Sequence, residues 1–132
     1  MTTYQTHRGA CHCGRVSFEL QAKISYVTYC NCSVCRCMGA LWHGASDDQL
    51  RILTGEAELQ VYQYNTMTAK HYFCAHCGVH PFSRPRVDPS IWVVNVRCIE
   101  AVDLETLPVR QFDGQNWEAS AQALYASRAR KA

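Results

Sequence analysis

The sequence predicts a mainly β domain with little helix. Three observations carry that expectation. Apolar and polar residues alternate in short runs, turn signals separate those runs, and no helical periodicity is sustained before an Ala-rich C-terminal stretch. Many short strands so spaced make an all-β or β-dominated domain. At 132 residues the chain is long enough for one hydrophobic core, and a single domain over residues 1–132 is expected.

Each element has its own warrant. Arg8-Gly9-Ala10-Cys11-His12-Cys13-Gly14 is a C-x-C element closed by a glycine free to take positive φ. It runs into Arg15 to Leu20, where Val16, Phe18 and Leu20 alternate with polar residues as in a half-buried strand. Tyr26-Val27-Thr28-Tyr29 is rich in β-formers and delivers the chain to Cys30, Cys32 and Cys35, expected on a tight loop. Met38-Gly39-Ala40 reads as a turn and Leu41 to Gly44 as a short strand, while Ser46 to Gln49 has capping chemistry for one helical turn at most. Arg51-Ile52-Leu53 and Leu59 to Tyr64 flank the Thr54-Gly55-Glu56 turn as a predicted hairpin. Lys70 to Phe73 is a strand feeding the Cys74-Ala75-His76-Cys77-Gly78 knuckle. Prolines punctuate 81–89, which suits an edge strand or loop. Ile91 to Val96 is the strongest core strand, and Val109 to Phe112 a last strand before Asp113-Gly114. Ala119 to Ala129 is mildly helical.

Bulk properties exclude several functions. Net charge is only +2, too mild for electrostatic capture of nucleic acid, and the basic run Arg128-Ala129-Arg130-Lys131 reads as a solvated end. No apolar stretch approaches the ~20 residues of a membrane span, and Met1 to Thr6 lacks the apolar segment of a signal peptide. Nine cysteines are therefore expected in a reducing cytoplasm, where metal binding or catalysis outranks disulfides. Their odd number points the same way.

Seven of the nine fall into two sets. Cys30, Cys32 and Cys35 form C-x-C-x-x-C. Such density of sulfur serves disulfides, redox chemistry or a metal, and C-x-C spacing strains a disulfide. A metal needs only that the sulfurs converge on one point with bonds near ~2.3 Å, and three thiolates leave the fourth position of a tetrahedron open. Cys11 and Cys13 with Cys74 and Cys77 make a C-x-C … C-x-x-C set, four thiolates that close a tetrahedron and would convert metal binding into folding energy. A thioredoxin-type pair at Cys74 and Cys77 lacks its βαβ context. Cys98, after the core strand, reads as a small buried hydrophobe. Cys37 is a fourth ligand, a redox partner or an unligated thiol, the last being preferred. Among the histidines, His12 and His76 are expected to point outward, and His43 or His80 to play structural roles with the open site within their possible reach.

Sorted this way, the chain resembles the glutathione-dependent formaldehyde-activating enzyme family, which includes the centromere protein V-like domains. The resemblance lies in Gly9 to Gly14 and its strand, Cys30-Asn31-Cys32-Ser33-Val34-Cys35-Arg36, Tyr72 to Gly78, and Val94-Asn95-Val96-Arg97-Cys98, in the family's order, with a further similar segment from Phe112 to Trp117. Asn31 stands where histidine is frequent, and Cys37 lies outside the pattern. The resemblance implies a zinc-pinned β-tent fold of short antiparallel strands; the core is expected over about 8–117, with the Ala-rich tail over about 118–132 expected as a frayed helix. It implies two Zn²⁺ per chain, a structural one on Cys11, Cys13, Cys74 and Cys77 and an open, catalytic one on Cys30, Cys32 and Cys35. The implied reaction joins formaldehyde to glutathione as S-hydroxymethylglutathione, a carbon–sulfur lyase reaction in reverse.

The physical chemistry agrees with a thiol substrate. Three thiolates leave a zinc site net negative, a weak generator of hydroxide but a suitable seat for a soft thiolate. A fourth thiolate needs cations nearby. Arg36, beside the cluster, is the candidate for binding the thiol cosubstrate; Arg84, Arg86 and Arg97 lie on segments that could line the cleft, with plain surface charge as the commoner role. The competing class is a non-enzymatic zinc or thiol carrier or interaction module, favoured by the lack of an obvious general acid or base.

Overall fold

The structure, a computed structural model, describes residues 4–131. Met1 to Thr3, part of the segment read above for a signal peptide, and Ala132 lie outside the described residues, as do the side chains of Arg130 and Lys131 in the basic run. In chain order the strands are β1 (Gln5–Ala10), β2 (Ser17–Ala22), β3 (Val27–Cys30), β4 (Trp42–Ala45), β5 (Leu50–Thr54), β6 (Leu59–Tyr62), β7 (Lys70–Cys74), β8 (Phe82–Arg84), β9 (Trp92–Asn95) and β10 (Val109–Phe112). Helix α1 (Ser33–Met38) follows β3, and α2 (Trp117–Lys131) follows β10. They build two sheets, a three-stranded one ordered β1-β2-β5 and a seven-stranded one ordered β10-β3-β4-β9-β8-β7-β6. The chain is mainly β, in keeping with the expected class.

Alternation along β2 does what its pattern predicts. Val16, Phe18 and Leu20 point inward and are fully buried against Cys74, Phe82, Trp92 and Val94 of the larger sheet. Phe18 meets Phe82 edge-on at 5.8 Å, and Phe82 meets Trp92 at 5.1 Å, both within the favoured range for aromatic pairs. The opposite face of the larger sheet carries a second apolar cluster, Cys35, Ala40 and Trp42 with Val34, Met38 and Val93 packed on it. Helix α1 lies on this outer face.

Five local expectations are corrected. The Thr54-Gly55-Glu56 turn does not join a hairpin: β5 pairs with β2 in one sheet and β6 with β7 in the other. Gly55, at φ 77°, tucks so tightly under Arg15 that the chain crosses between sheets instead of folding back. The segment 81–89 is neither edge nor loop throughout, because β8 is an interior strand; Pro81 and Pro85 bracket its three residues without removing a paired N–H. The cluster Cys30, Cys32, Cys35 is not confined to a loop but runs from the end of β3 into α1, with Cys32 as N-cap and Gly39 in left-handed conformation as C-cap. Strand pairing is antiparallel with one exception, the parallel pair β10–β3. The C-terminal stretch is a continuous helix, held by the buried Ala121 and by Tyr125, whose hydroxyl donates to the Val87 carbonyl at 2.7 Å. One strand, β1, had no sequence expectation at all. It pairs along its full length with β2.

Candidate metal centres and the adjoining cleft

Two knuckles of like construction bring the first four cysteines together. In one, the Cys11 N–H donates to the Val16 carbonyl and the Gly14 N–H to the Cys11 carbonyl. In the other, the Cys74 N–H donates to Val79 and the Gly78 N–H to Cys74. Gly14 (φ 81°) and Gly78 (φ 76°) make both turns possible. The four Sγ atoms lie within 4.8 Å of one another. Cys11 and Cys13 are 3.6 Å apart, Cys13 and Cys74 3.7 Å. Disulfides need about 2.05 Å, whereas a tetrahedron with ~2.3 Å metal–sulfur bonds has edges of about 3.8 Å. The donor set therefore fits a tetrahedral metal, and all nine cysteines are free thiols. Backbone N–H groups of Val16 and His76 point at Cys11 and Cys74 sulfurs, each at 3.4 Å, as donors that favour thiolate. Cys13, beside Arg15, is pulled down to about 6, while burial pushes Cys11 up to about 11.

The second set is Cys30, Cys32 and Cys35, again within 4.8 Å, with no fourth Cys, His, Asp or Glu ligand atom among the described residues in that group. The Cys32 Sγ accepts from the Cys35 N–H at 3.4 Å. Hydrogen bonds from the Cys30 and Cys35 thiols hold Cys32 far below the ordinary thiol range; Cys35, facing Cys30 and Cys32 and largely buried, is pushed the other way. Metal binding to such a set displaces whatever thiol protons remain. This set also fits a metal, with one coordination position left open.

A cover over this cluster was not legible as such. Asn31 donates from Nδ2 to the Asp113 carboxylate at 3.0 Å, and the Gln115 N–H donates to Asn31 Oδ1 at 3.1 Å. Asp113, hydrogen-bonded by Asn116 and Asn31, is held below the usual carboxylate range. This lashes the loop after β10 to the cluster loop. Gly114 passes so close that a Cβ there would lie 2.6 Å from Cys30 Sγ.

Beside the cluster, a cleft of about 700 Å³ is walled by Val34, Cys37 and Met38 of α1, Tyr62, Phe73, Val79, His80 and Asn95. Cys37 thus faces this cleft, exposed, and outside both metal-type sets. Cys98 is half-buried behind the four-cysteine centre, pushed up to about 11 by burial. Of the histidines, His80 lines the cleft, but His43 pairs with Val94 across β4 and β9 and packs on Tyr26, away from α1. His76 turns outward to Glu58 as expected.

The arginines divide differently from expectation. Arg36 is exposed in the last turn of α1, on the helix that walls the cleft but not itself in the lining, and makes no ion pair among the described residues. Arg97 donates from Nε to the Gly39 carbonyl at 3.0 Å, fastening the end of α1. Arg84 is taken up by Asp47 at 2.7 Å and by the Trp92 ring, and Arg86 lies over Trp117 at 3.7 Å, so neither lines the cleft.

Registers across the sheet reveal a polar row that sequence reading missed. Val93, Ser83, His71 and Tyr62 are direct cross-strand neighbours on β9, β8, β7 and β6. Direct neighbours share a face, and Val93 packs on the cluster while Tyr62 walls the cleft. His71 and Ser83 are buried, yet His71 Nδ1 and Ser83 Oγ have no hydrogen-bond partner. Leaving such an atom unpaired costs about 1–3 kcal/mol. His71 sits in the strand read as Lys70 to Phe73, a reading that left its neighbours across the sheet unseen.

A sequence model described as glutathione-dependent formaldehyde-activating enzyme matches residues 6–115. A solved structure of a Rhodobacter sphaeroides protein is similar at TM-score 0.71 and 36% identity, over 77% of this chain and 98% of that one. Among the described residues, no helix is long and apolar enough to cross a membrane.

Proposed function

From a chain that belongs to the glutathione-dependent formaldehyde-activating enzyme family, we propose a zinc-dependent enzyme of carbon–sulfur lyase type that joins a glutathione-like thiol to a small aldehyde. The observation that carries this reading is the convergence of Cys30, Cys32 and Cys35 without a fourth protein ligand atom. A zinc ion held by these three would supply an open, sulfur-rich position that favours a thiolate over hydroxide. Cys11, Cys13, Cys74 and Cys77 would hold the second zinc, whose contribution is to folding.

The chain's own residues have distinct tasks in this reading. Val34, Met38, Tyr62, Phe73 and Val79 make the wall of the cleft predominantly apolar, which keeps water from competing for the aldehyde. Asn95 is not free to bind substrate: its side chain donates to the His80 carbonyl at 3.0 Å and accepts from Leu41 and Arg97. Its role is to fix the cleft floor. Arg36, carried by the helix that walls the cleft and free of any partner among the described residues, is the cation for a carboxylate of the thiol. Arg36→Ala should raise KM for the thiol several-fold with kcat little changed, as loss of uniform binding does.

Cobalt replacement of the metal tests the reading. Glutathione should shift the sulfur-to-cobalt charge-transfer bands, because a soft thiolate takes the open position. Formaldehyde should then be consumed faster than in the uncatalysed mixture. Bands that stay put at millimolar glutathione refute thiol binding. Bands that move without accelerated condensation replace the enzyme by a thiol carrier.

A further inference from the structure

The condensation requires a group to move one proton, and no residue of the thiol cluster can both lose and return it. We propose that the His71 ring, with the Ser83 hydroxyl beside it, is the proton relay of this reaction. The inference rests on the thiol–aldehyde reading and adds the residues that complete it.

Three observations converge on the pair. Both side chains are more than nine-tenths buried, at 6% and 1% exposure, and both carry an unpartnered polar atom. They are direct partners across β7 and β8, which puts the two orphans side by side on the cluster face of the sheet. Their row is closed on one side by Val93, packed on the cluster, and on the other by Tyr62, in the cleft wall. His43 and His80 also carry an unpartnered Nδ1, but only His71 stands directly across from a second orphan, the Ser83 hydroxyl. Its flanks are aromatic: Tyr64 stacks on the ring at 6.1 Å and Tyr62 lies at 6.4 Å.

The groups that act on the ring favour a relay. Burial holds His71 below the ordinary imidazole range, so at neutral pH it starts as a base. Charge on Cys32 pulls in the opposite direction and His80 opposes protonation. Tyr62, Tyr64 and Ser83 are the hydroxyl-bearing side chains that face it. A second thiolate arriving near Cys32 adds negative charge and so raises the proton affinity of the ring at the moment the thiol needs an acceptor.

The step balances within these groups. The thiol S–H gives its proton to the unprotonated ring nitrogen of His71. The sulfur lone pair forms the new bond to the aldehyde carbon, and the C=O π pair moves onto oxygen. Ser83 O–H donates a hydrogen bond to that oxygen, and the imidazolium returns the proton to it. Thiol plus aldehyde give the hydroxyalkyl thioether, with no oxidant, reductant or net proton.

Calorimetry of the zinc-loaded protein with glutathione, repeated in buffers of different ionisation enthalpy, counts protons released per thiol bound. At pH 7.5 the wild type should release close to none and His71→Gln close to one, with the condensation rate of the variant about 100-fold lower, the low end for a lost general acid–base. Free imidazole should restore part of that rate. As a measurement that needs no variant, the His71 ring nitrogen resonances of the wild type should move to imidazolium values when glutathione is added without aldehyde. Equal proton counts, or ring resonances unmoved by a thiol that demonstrably shifts the cobalt bands, overturn the relay while leaving thiol binding intact. A variant that turns over at the wild-type rate overturns it too. Cobalt bands that never move overturn the site reading, and the relay with it.

Discussion

A single methyl group on Gly114 would collide with Cys30 Sγ at 2.6 Å and with Cys32 Cβ at 2.7 Å. Backbone approach that close leaves no direction in which a side chain can yield. Gly114→Ala should therefore lift the loop off the cluster and weaken metal retention there by about 10-fold or more, the scale of a disturbed outer shell; a chelator competition measures it. Cys32→Ser should go further, folding normally while elemental analysis finds about one metal fewer per chain than in wild type. An unchanged count would remove the cluster from the metal sites. Cys77→Ser strikes the other centre, where its loss leaves three thiolates, one of them the fully buried Cys74. Insoluble protein or loss of near-UV dichroism is expected, and a native spectrum with unchanged Tm would refute a structural role.

At the scale of elements, what could be read from sequence depended on how local the cause was. The alternation of Val16, Phe18 and Leu20 located β2 and its inward face, because burial on one side of a strand writes a period of two into the chain. The knuckles at Cys11 to Gly14 and Cys74 to Gly78 were equally local, a ligand spacing and a glycine. The Gly55 crossover was not. Its left-handed φ of 77° is what a turn would also need, and only the carbonyl of Arg15, 40 positions earlier and 2.1 Å from a hypothetical Cβ, makes it a sheet-to-sheet passage. Ala at this position combines a forbidden φ with a backbone clash, and should cost at least ~2 kcal/mol. For a chain of this size that lowers Tm by roughly 8 °C. Scanning calorimetry reads it directly. The same non-locality hid the polar row, since Ser83 and His71 belong to unremarkable strands until their register is known.

Across the whole molecule, the two cysteine sets sit differently with respect to the sheets. Cys11 and Cys13 lie between β1 and β2 of the three-stranded sheet, while Cys74 ends β7 of the seven-stranded sheet and Cys77 lies in the turn that follows it. A metal on these four ties one sheet to the other. The Cys30 set belongs to the larger sheet alone and lies on its outer face. Graded chelation should accordingly remove metal in two steps, the first silent in far-UV dichroism and abolishing thiol binding, the second coincident with unfolding. One step with simultaneous unfolding would contradict the division of labour.

The lashing of Asn31 to Asp113 spans 82 residues of chain. A ribosome adding 5–20 residues per second needs roughly 4–16 s to travel that distance. For that interval the emerging polypeptide carries Cys30, Cys32 and Cys35 without Gly114 above them. Loading from the cell's metal pool would have its widest access then, before the last strand arrives, whereas afterwards the Gly114 loop closes one side and leaves the open coordination position as the way in. The order of translation would thereby favour an order of assembly: cation first, roof second.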